Sequence, residues 1–314
     1  MLYSVRYDES VSESGDLQIP HGIALAWGVA ANPQRGPKRE MSVERIVDAA
    51  IEIADEGGLA AVSMSAVAGR LGFTPMSLYR YVTAKDDLVL LMVEQATGVP
   101  PEAVAEADGW RNGLIAFAAG NAQVFADHPW VLDVPIEGTP MTPNSMAWLD
   151  SALLAMRGTP LDYEEKVAAT LAVMAQVRFE GTATRGSRSA AAAAGADPRA
   201  LDARAGAMLE HLISPDAFPE VHAAMLAGVF RPGEPNPFAF GLDRVLDGIG
   251  AYIAAKPAMP ERPAEDAPPD ERVVRDPKVR EARHARRETE KQLREARKRE
   301  REAIRIARER IGRG

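Results

Sequence analysis

The sequence predicts an all-α chain of two domains: an N-terminal helix-turn-helix unit followed by a larger helical domain. Three observations predict it. Apolar residues recur at helical spacing along most of the chain, and no stretch of any length alternates as a strand does. Between residues 42 and 98, Ser, Thr and Gly punctuate the pattern, which fits short helices joined by three- to four-residue turns. From Trp110 onward the chain is alanine-rich, with longer periodic runs. A length of 314 residues at 46% hydrophobic content supplies enough apolar surface for two cores.

Composition removes several classes of function. There is no cysteine, so disulfides, thiolate zinc sites and cysteine nucleophiles are out, and a reducing cytoplasm fits. No apolar run is long enough to span a bilayer, and the start, MLYSVRYDESVSESGD, lacks the basic-then-apolar order of a secretory signal. A cytoplasmic protein without a membrane partner is expected. Net charge is −8, unevenly spread: residues 271–314 carry 17 Lys/Arg against 9 Asp/Glu, so the body is strongly acidic and the tail basic.

Residues 1–40 read as an N-terminal extension. Its IALAWGVAA stretch (23–31) predicts an extra helix or a strip docked on the body, and NPQRGPKR (32–39) an extended basic arm. The unit proper spans 41–98. Ser42 caps a first helix of roughly 15 residues with Ile46, Val47, Ala50, Ile53 and Ala54 on one face, stopped by Gly57-Gly58. Ser63 caps a second, of about eight, carrying Met64, Val67, Ala68 and Leu71 and ending at Gly72. Thr74 caps a third, of about seven, with Pro75 at its first position, where a missing N–H costs nothing. Leu78 and Val82 face inward on it. Thr83 caps a fourth, of about 13, with Leu88, Leu91 and Met92. A helix of two turns cannot stabilise itself. Packing by Phe73 and Leu78 must hold the third, which frees its other face for a DNA major groove about 12 Å wide.

The second domain, 99–256, begins with a helix marked by Trp110, Leu114, Phe117, Ala118 and Phe125 and closed by His128-Pro129. Pro143–Met156 predicts the next. Asp162 caps a long one, with Glu165 completing a capping box, that runs through Met174 and Phe179. Residues 185–200 read as a low-complexity loop. Helical stretches near 202–213 and 216–228 follow, then a helix from about Asn236 to Ala255 with Phe238, Leu242, Val245, Leu246, Ile249 and Ile253 on one stripe. Residues 257–270 read as a proline-rich linker. The tail, 271–314, reads as one charged helix with Glu290→Arg294, Glu295→Arg299 and Glu309→Arg313 at favourable spacing.

The stretch from Ser42 to Gly98 resembles the DNA-binding domain of the tetracycline-repressor (TetR) family. The residues that carry the likeness are AAIEIADEGGL (49–59), VSMSAVA (62–68), LGF (71–73) and SLYRYVTAKDDL (77–88). HPWV (128–131), TPNSMAWLDSALLAM (142–156) and FAFGLDRVLDGI (238–249) resemble that family's tetracycline-repressor type of C-terminal domain. The likeness covers about 42–255. It implies a homodimer that binds a palindromic operator in double-stranded DNA and is released by a small-molecule effector.

Carried over by position, it implies that Thr74, Pro75, Met76 and Ser77 read base edges, with Met76 suited to a thymine methyl. It implies that Tyr79, Tyr81 and Lys85 meet phosphates, Lys85 with help from a helix dipole. Ser63 and Ser65 fall where the family often has a phosphate-contacting Thr and sometimes a base-reading Arg. That Arg is absent here. Arg80 is extra to the motif and faces the DNA backbone or solvent. Trp110, Phe117, His128, Trp130, Met146, Trp148, Met174, Arg178 and Phe179 lie on helices that surround the ligand in the family. Each has an alternative as core, and His128 as a helix end. Arg178 needs a partner on an apolar stretch: an anionic effector or an ion pair with a body glutamate. The dimer is expected through 161–186 and 236–255.

Other readings stay open. Residues 33–87 hold 7 basic and 8 acidic residues, so this domain is not globally cationic. Arg35, Lys38 and Arg39 suit either a minor-groove arm or a solvated linker. The basic tail suits a solvated helix, a non-specific nucleic-acid grip or a partner helix, and a scaffolding protein acting through it is the alternative function. No H-E-x-x-H, G-x-S-x-G or phosphate-loop pattern occurs, so no metal site, cofactor or catalytic residue is implied and the protein is not expected to be an enzyme.

Overall fold

The computed structural model describes residues 19–29, 41–136, 141–229 and 237–256, and scattered positions between 277 and 310. The regular elements among them are helices. Residues 1–257 cluster as one compact unit and 258–314 as another. In the second, the described positions are helical and exposed. The basic arm 32–39, the linker 257–270 and the tail pairs beginning at Glu290, Glu295 and Glu309 lie outside the described residues.

An extra helix, α1 (His21–Ala26), precedes the unit and packs on a later helix. Of the 23–31 stretch, residues up to Ala26 are helix and pack on the body, while residues 30–31 lie outside the described residues. Helix α2 (Val43–Gly57) starts at Ser42, whose hydroxyl accepts the Arg45 N–H at 3.3 Å, and stops at Gly58 with φ 77°. It buries Ile46, Val47, Ala50 and Ala54. After a single 3₁₀ turn (Leu59–Ala61), α3 (Met64–Leu71) starts at Ser63, which accepts the Ala66 N–H at 3.1 Å. Gly72 ends α3 in the left-handed region (φ 76°, ψ 28°), and the Phe73 N–H reaches back to the Ala68 carbonyl at 2.9 Å. That 6→1 bond defines a Schellman stop.

Helix α4 (Pro75–Leu78) has four residues, shorter than the seven expected. The Tyr81 and Val82 N–H groups both bond the Leu78 carbonyl, so the chain tightens into a turn instead of continuing as helix. Leu78 and Val82 are fully buried, as their spacing predicts. Helix α5 (Lys85–Thr97) is capped by Ala84, not Thr83. The Thr83 hydroxyl instead donates to Asp87 Oδ2 at 2.7 Å, one turn into the helix.

The larger region contains α6 (Glu102–Ala105), α7 (Gly109–Asp127), a 3₁₀ turn (Pro129–Asp133), α8 (Pro143–Ala155), α9 (Tyr163–Ala194), α10 (Pro198–Leu212), α11 (Pro219–Leu226) and α12 (Pro237–Ala255). The capping box forms: the Asp162 N–H donates to Glu165 at 2.8 Å and the Glu165 N–H to Asp162 at 2.9 Å. Residues 185–194 are helix, not loop, since α9 runs 32 residues to Ala194. The reason is intrinsic and tertiary at once. Ala190–Ala194 is a run of the best helix former, and Arg185 anchors that half by bonding the Pro129 carbonyl at 3.2 Å and Asp133 at 2.6 Å. The apolar core is continuous from Val43 through Phe117 and Trp148 to Leu246.

Candidate nucleic-acid interface

The short helix α4 separates its residues by face. Leu78 is buried completely, whereas Met76 is 75% exposed and Tyr79 44% exposed. Thr74, Arg80 and Lys85 are exposed beside them, as are Ser63 and Ser65 at the start of α3. Ser77 is half-buried and its hydroxyl lies 3.0 Å from that of Thr74, which steadies the first turn. Tyr81 is half-buried and packs against the core, so only part of its ring is presented outward. Pro75 sits at the first helical position. Met76 on α4 and Tyr79, which caps it, contribute little to the core from these exposed positions.

The patch sits on a braced frame. Arg70 of α3 bridges Glu52 and Glu56 of α2 at 3.4 and 2.5 Å. The hydrogen bond from Arg70 holds the Glu56 carboxyl below its ordinary range and raises the guanidinium. This bridge uses up two carboxylates of the acidic α2 on the unit's own structure. Helix α5 is tied to α8: the Asn144 N–H and Nδ2 donate to Glu94 at 2.8 and 2.7 Å, and Trp148 Nε1 donates to the Gly98 carbonyl at 3.0 Å. Helix α2 is tied to the turn after α7 through Asp55, which lies 2.9 Å from His128 Nδ1 and accepts from Trp130 Nε1 at 2.8 Å. Asp55 was not distinguishable in the sequence from its solvated neighbours, because its partners lie more than 70 residues away.

Most of the expected pocket residues pack in the core. Phe117 and Trp148 are buried edge to face at 5.5 Å, and Trp130 is 2% exposed. Trp110, Met146 and Met174 are half-buried, and His128 closes α7. Phe179 is 65% exposed and meets the ring of Phe238 at 5.7 Å. Arg178 makes no ion pair with a glutamate among the described residues. Its guanidinium donates to the carbonyls of Leu132 and Val134 at 3.3 and 3.4 Å and lies over the Phe125 ring at 5.6 Å. Burial shifts its pKa down. A cleft of about 780 Å³ opens instead where α2, α7, the 129–133 turn and α9 meet. Phe125, Trp130 and Val177 give it apolar walls, and Asp133, Glu180 and Arg185 polar ones. Of the expected nine residues only Trp130 lines it.

A second exposed surface runs along α9. Ala168, Leu171, Ala172, Ala175 and Phe179 all face outward at helical spacing. On the neighbouring α12, Phe240, Gly248, Ala251, Tyr252 and Ala255 do the same. Among the described residues no group of three or more His, Asp or Glu could hold a metal ion, and no helix is long and apolar enough to cross a membrane.

Comparison with known proteins fits this geometry. Residues 46–92 match bacterial regulatory proteins of the tetR family, and residues 102–253 the tetracyclin repressor-like C-terminal domain. The HTH-type transcriptional repressor DrrR1 of Streptomyces coeruleorubidus is 32% identical over 261 residues, covering 82% of this chain and 93% of that protein. An HTH-type transcriptional repressor of Mycobacterium tuberculosis is 28% identical over 230 residues, covering 70% of this chain and 84% of its own. ActR of Streptomyces coelicolor, solved in complex with actinorhodin, shares the fold: TM-score 0.56, 22% identity, covering 69% of this chain and 99% of that one.

Proposed function

This chain belongs to the TetR family of bacterial regulatory proteins, and on that premise we propose that it is a homodimeric repressor that leaves a palindromic operator when a small-molecule effector binds. The observation that carries the reading is the outward face of α4. Met76 on α4, Tyr79 at its C-terminal cap and Lys85 at the start of α5 lie exposed, while the buried Leu78 already secures the short helix. Thr74, Met76 and Ser77 then read base edges, and Tyr79, Lys85, Ser63 and Ser65 meet phosphates, with Tyr81 and Arg80 at the margin. The protein acts in the cytoplasm, where its operator is.

The dimer forms through the outward stripes of α9 and α12. Two such helices from each protomer make a four-helix interface, which favours paired apolar stripes of this kind. The two recognition helices then meet half-sites about one helical turn apart. We assign the effector to the cleft beside Trp130 and Phe125. Its volume suits a small molecule, and its walls join α9 to α2 of the DNA-binding unit. Repression is supported by the relatives named above, both of which are repressors.

The test is selection of bound fragments from sheared DNA of the source organism by the wild type and by Tyr79→Ala/Lys85→Ala. Recovery of one palindromic site by the wild type alone is the expected result. Equal, sequence-blind recovery by both proteins would transfer binding to the tail, whose residues 271–314 carry 17 basic against 9 acidic side chains.

A further inference from the structure

The extra helix α1 lies outside both family matches, yet it is bonded into the frame of the DNA-binding unit. The Gly22 N–H donates to Asp87 Oδ1 at 2.9 Å, and the other oxygen of the same carboxylate accepts from Thr83 at 2.7 Å. Gly22 is buried, and a Cβ added there would stand 2.6 Å from Asp87 Oδ1 and 3.1 Å from Asp87 Cα. The contact therefore requires glycine. At the other end of α1, Trp27 Nε1 donates to the Met141 carbonyl at 2.7 Å, just before α8. Leu25 and Ala26 pack on the core between the two bonds.

These contacts close a ring of three elements. Helix α1 holds the first turn of α5 through Asp87, the later part of α5 holds the start of α8 through Glu94 and Asn144, and the approach to α8 holds α1 through Met141 and Trp27. The first turn of α5 needs the support. Its cap, Ala84, has no side chain to satisfy the leading N–H groups, and Lys85 sits at the positive end of the helix dipole. Asp86 and Asp87 in the same turn offset that charge but leave the cap position empty, and the bond from α1 to Asp87 holds the turn from outside.

We propose that α1 is a positioning element of the DNA-binding unit: it fixes the first turn of α5, and Lys85 with it, to the start of α8. The second half of this statement rests on reading Lys85 as a phosphate contact. The ring also gives α8 two routes to α5, one at each end, so displacement of the start of α8 moves the Lys85 end directly.

The test compares full-length protein with a chain lacking residues 1–29, and with Gly22→Val, which keeps the chain whole should the deletion fail to fold. Amide exchange in 85–92 is expected to accelerate at least tenfold in both variants, with 163–180 unchanged. Affinity for the fragment recovered by the wild type in the genomic selection is expected to fall about tenfold, and the salt slope of binding to drop by about one phosphate contact. Trp27→Phe, which keeps an aromatic side chain and loses the indole N–H that bonds Met141, is expected to give a smaller change in the same direction. Unchanged exchange in 85–92 overturns the proposal. Faster exchange with an unchanged salt slope leaves α1 as a brace and removes Lys85 from the DNA contact. If the wild type recovers no fragment, the operator reading fails, and exchange alone decides the role of α1.

Discussion

In the unit over 42–98, inward and outward residues divide cleanly. Leu78, Val82, Leu88 and Met92 are fully buried, while Met76, Tyr79 and Lys85 stand out from the same short stretch. In the region over 99–256 the division fails. Of the aromatics expected around a ligand, Phe117 and Trp148 are buried edge to face, Trp148 bonds the Gly98 carbonyl just after α5, and the buried Trp130 bonds Asp55 of α2. A binding face on a surface spends residues that a core would not use. A binding cavity draws on the same residue types as the core, so the large region can line its cleft with only one of the aromatics that stood out.

The sharpest way to break this contrast is Phe117→Ala. As a packed residue at 1% exposure it is expected to cost about 3–5 kcal/mol of stability, read from the unfolding midpoint. A loss below about 1 kcal/mol would return Phe117 to a ligand wall. Next, Leu78→Ala and Tyr79→Ala set the two faces of α4 against each other. The first is expected to cost about 2–5 kcal/mol of folding and specific binding with it. The second is expected to leave stability within about 0.5 kcal/mol and to lose about 1.5–3 kcal/mol of affinity, the worth of a hydrogen bond to a charged phosphate. Equal stability losses would erase the distinction. Phe179→Ala tests the outward stripe of α9 as the proposed dimer interface: the protomer is expected to stay folded and self-association to weaken by about 2 kcal/mol in sedimentation equilibrium. An unchanged association constant would move the interface elsewhere.

The smallest expected effect is a pH effect. The bond from Lys256, with further bonds from Tyr252 and the Asp162 N–H, holds the Glu165 carboxyl down from the ordinary 4.5 to about 2. A depressed carboxyl stabilises the fold fully above its unfolded value. The link between α9 and α12 is therefore complete above about pH 4.5 and fades as pH falls toward 2. Glu165→Gln is expected to flatten this acid dependence in amide exchange of 250–256, and an undiminished dependence would assign it to another group.

What could be read beforehand follows the range of the forces. The caps at Ser42, Ser63, Gly72 and Asp162 are local, and all four form where their spacing places them. Ala84 took the cap from Thr83 because Thr83 is bonded to Asp87, itself held by α1 from 65 residues away. The end of α9 is helix where low complexity predicts a loop, because an alanine-rich run resembles a linker in complexity although its helix propensity is the highest available. Tertiary structure alone brings Asp55 to His128 and Trp130, and no local pattern announces that pairing. The cleft that Asp55 and Trp130 line draws on three helices distant in the chain, so no local pattern marks it either.

The four residues of α4 rise about 6 Å along the helix axis, the height of about two base pairs at 3.4 Å each. A base pair is one choice among four, so a helix of this length can resolve at most about four bits, and a symmetric pair about eight. Eight bits single out one position in about 256, against roughly a million or more competing sites in a genome. On the proposed reading of a paired operator, most of the address is then written outside α4, in the half-site spacing, the flanking contacts and the stiffness of the DNA between them.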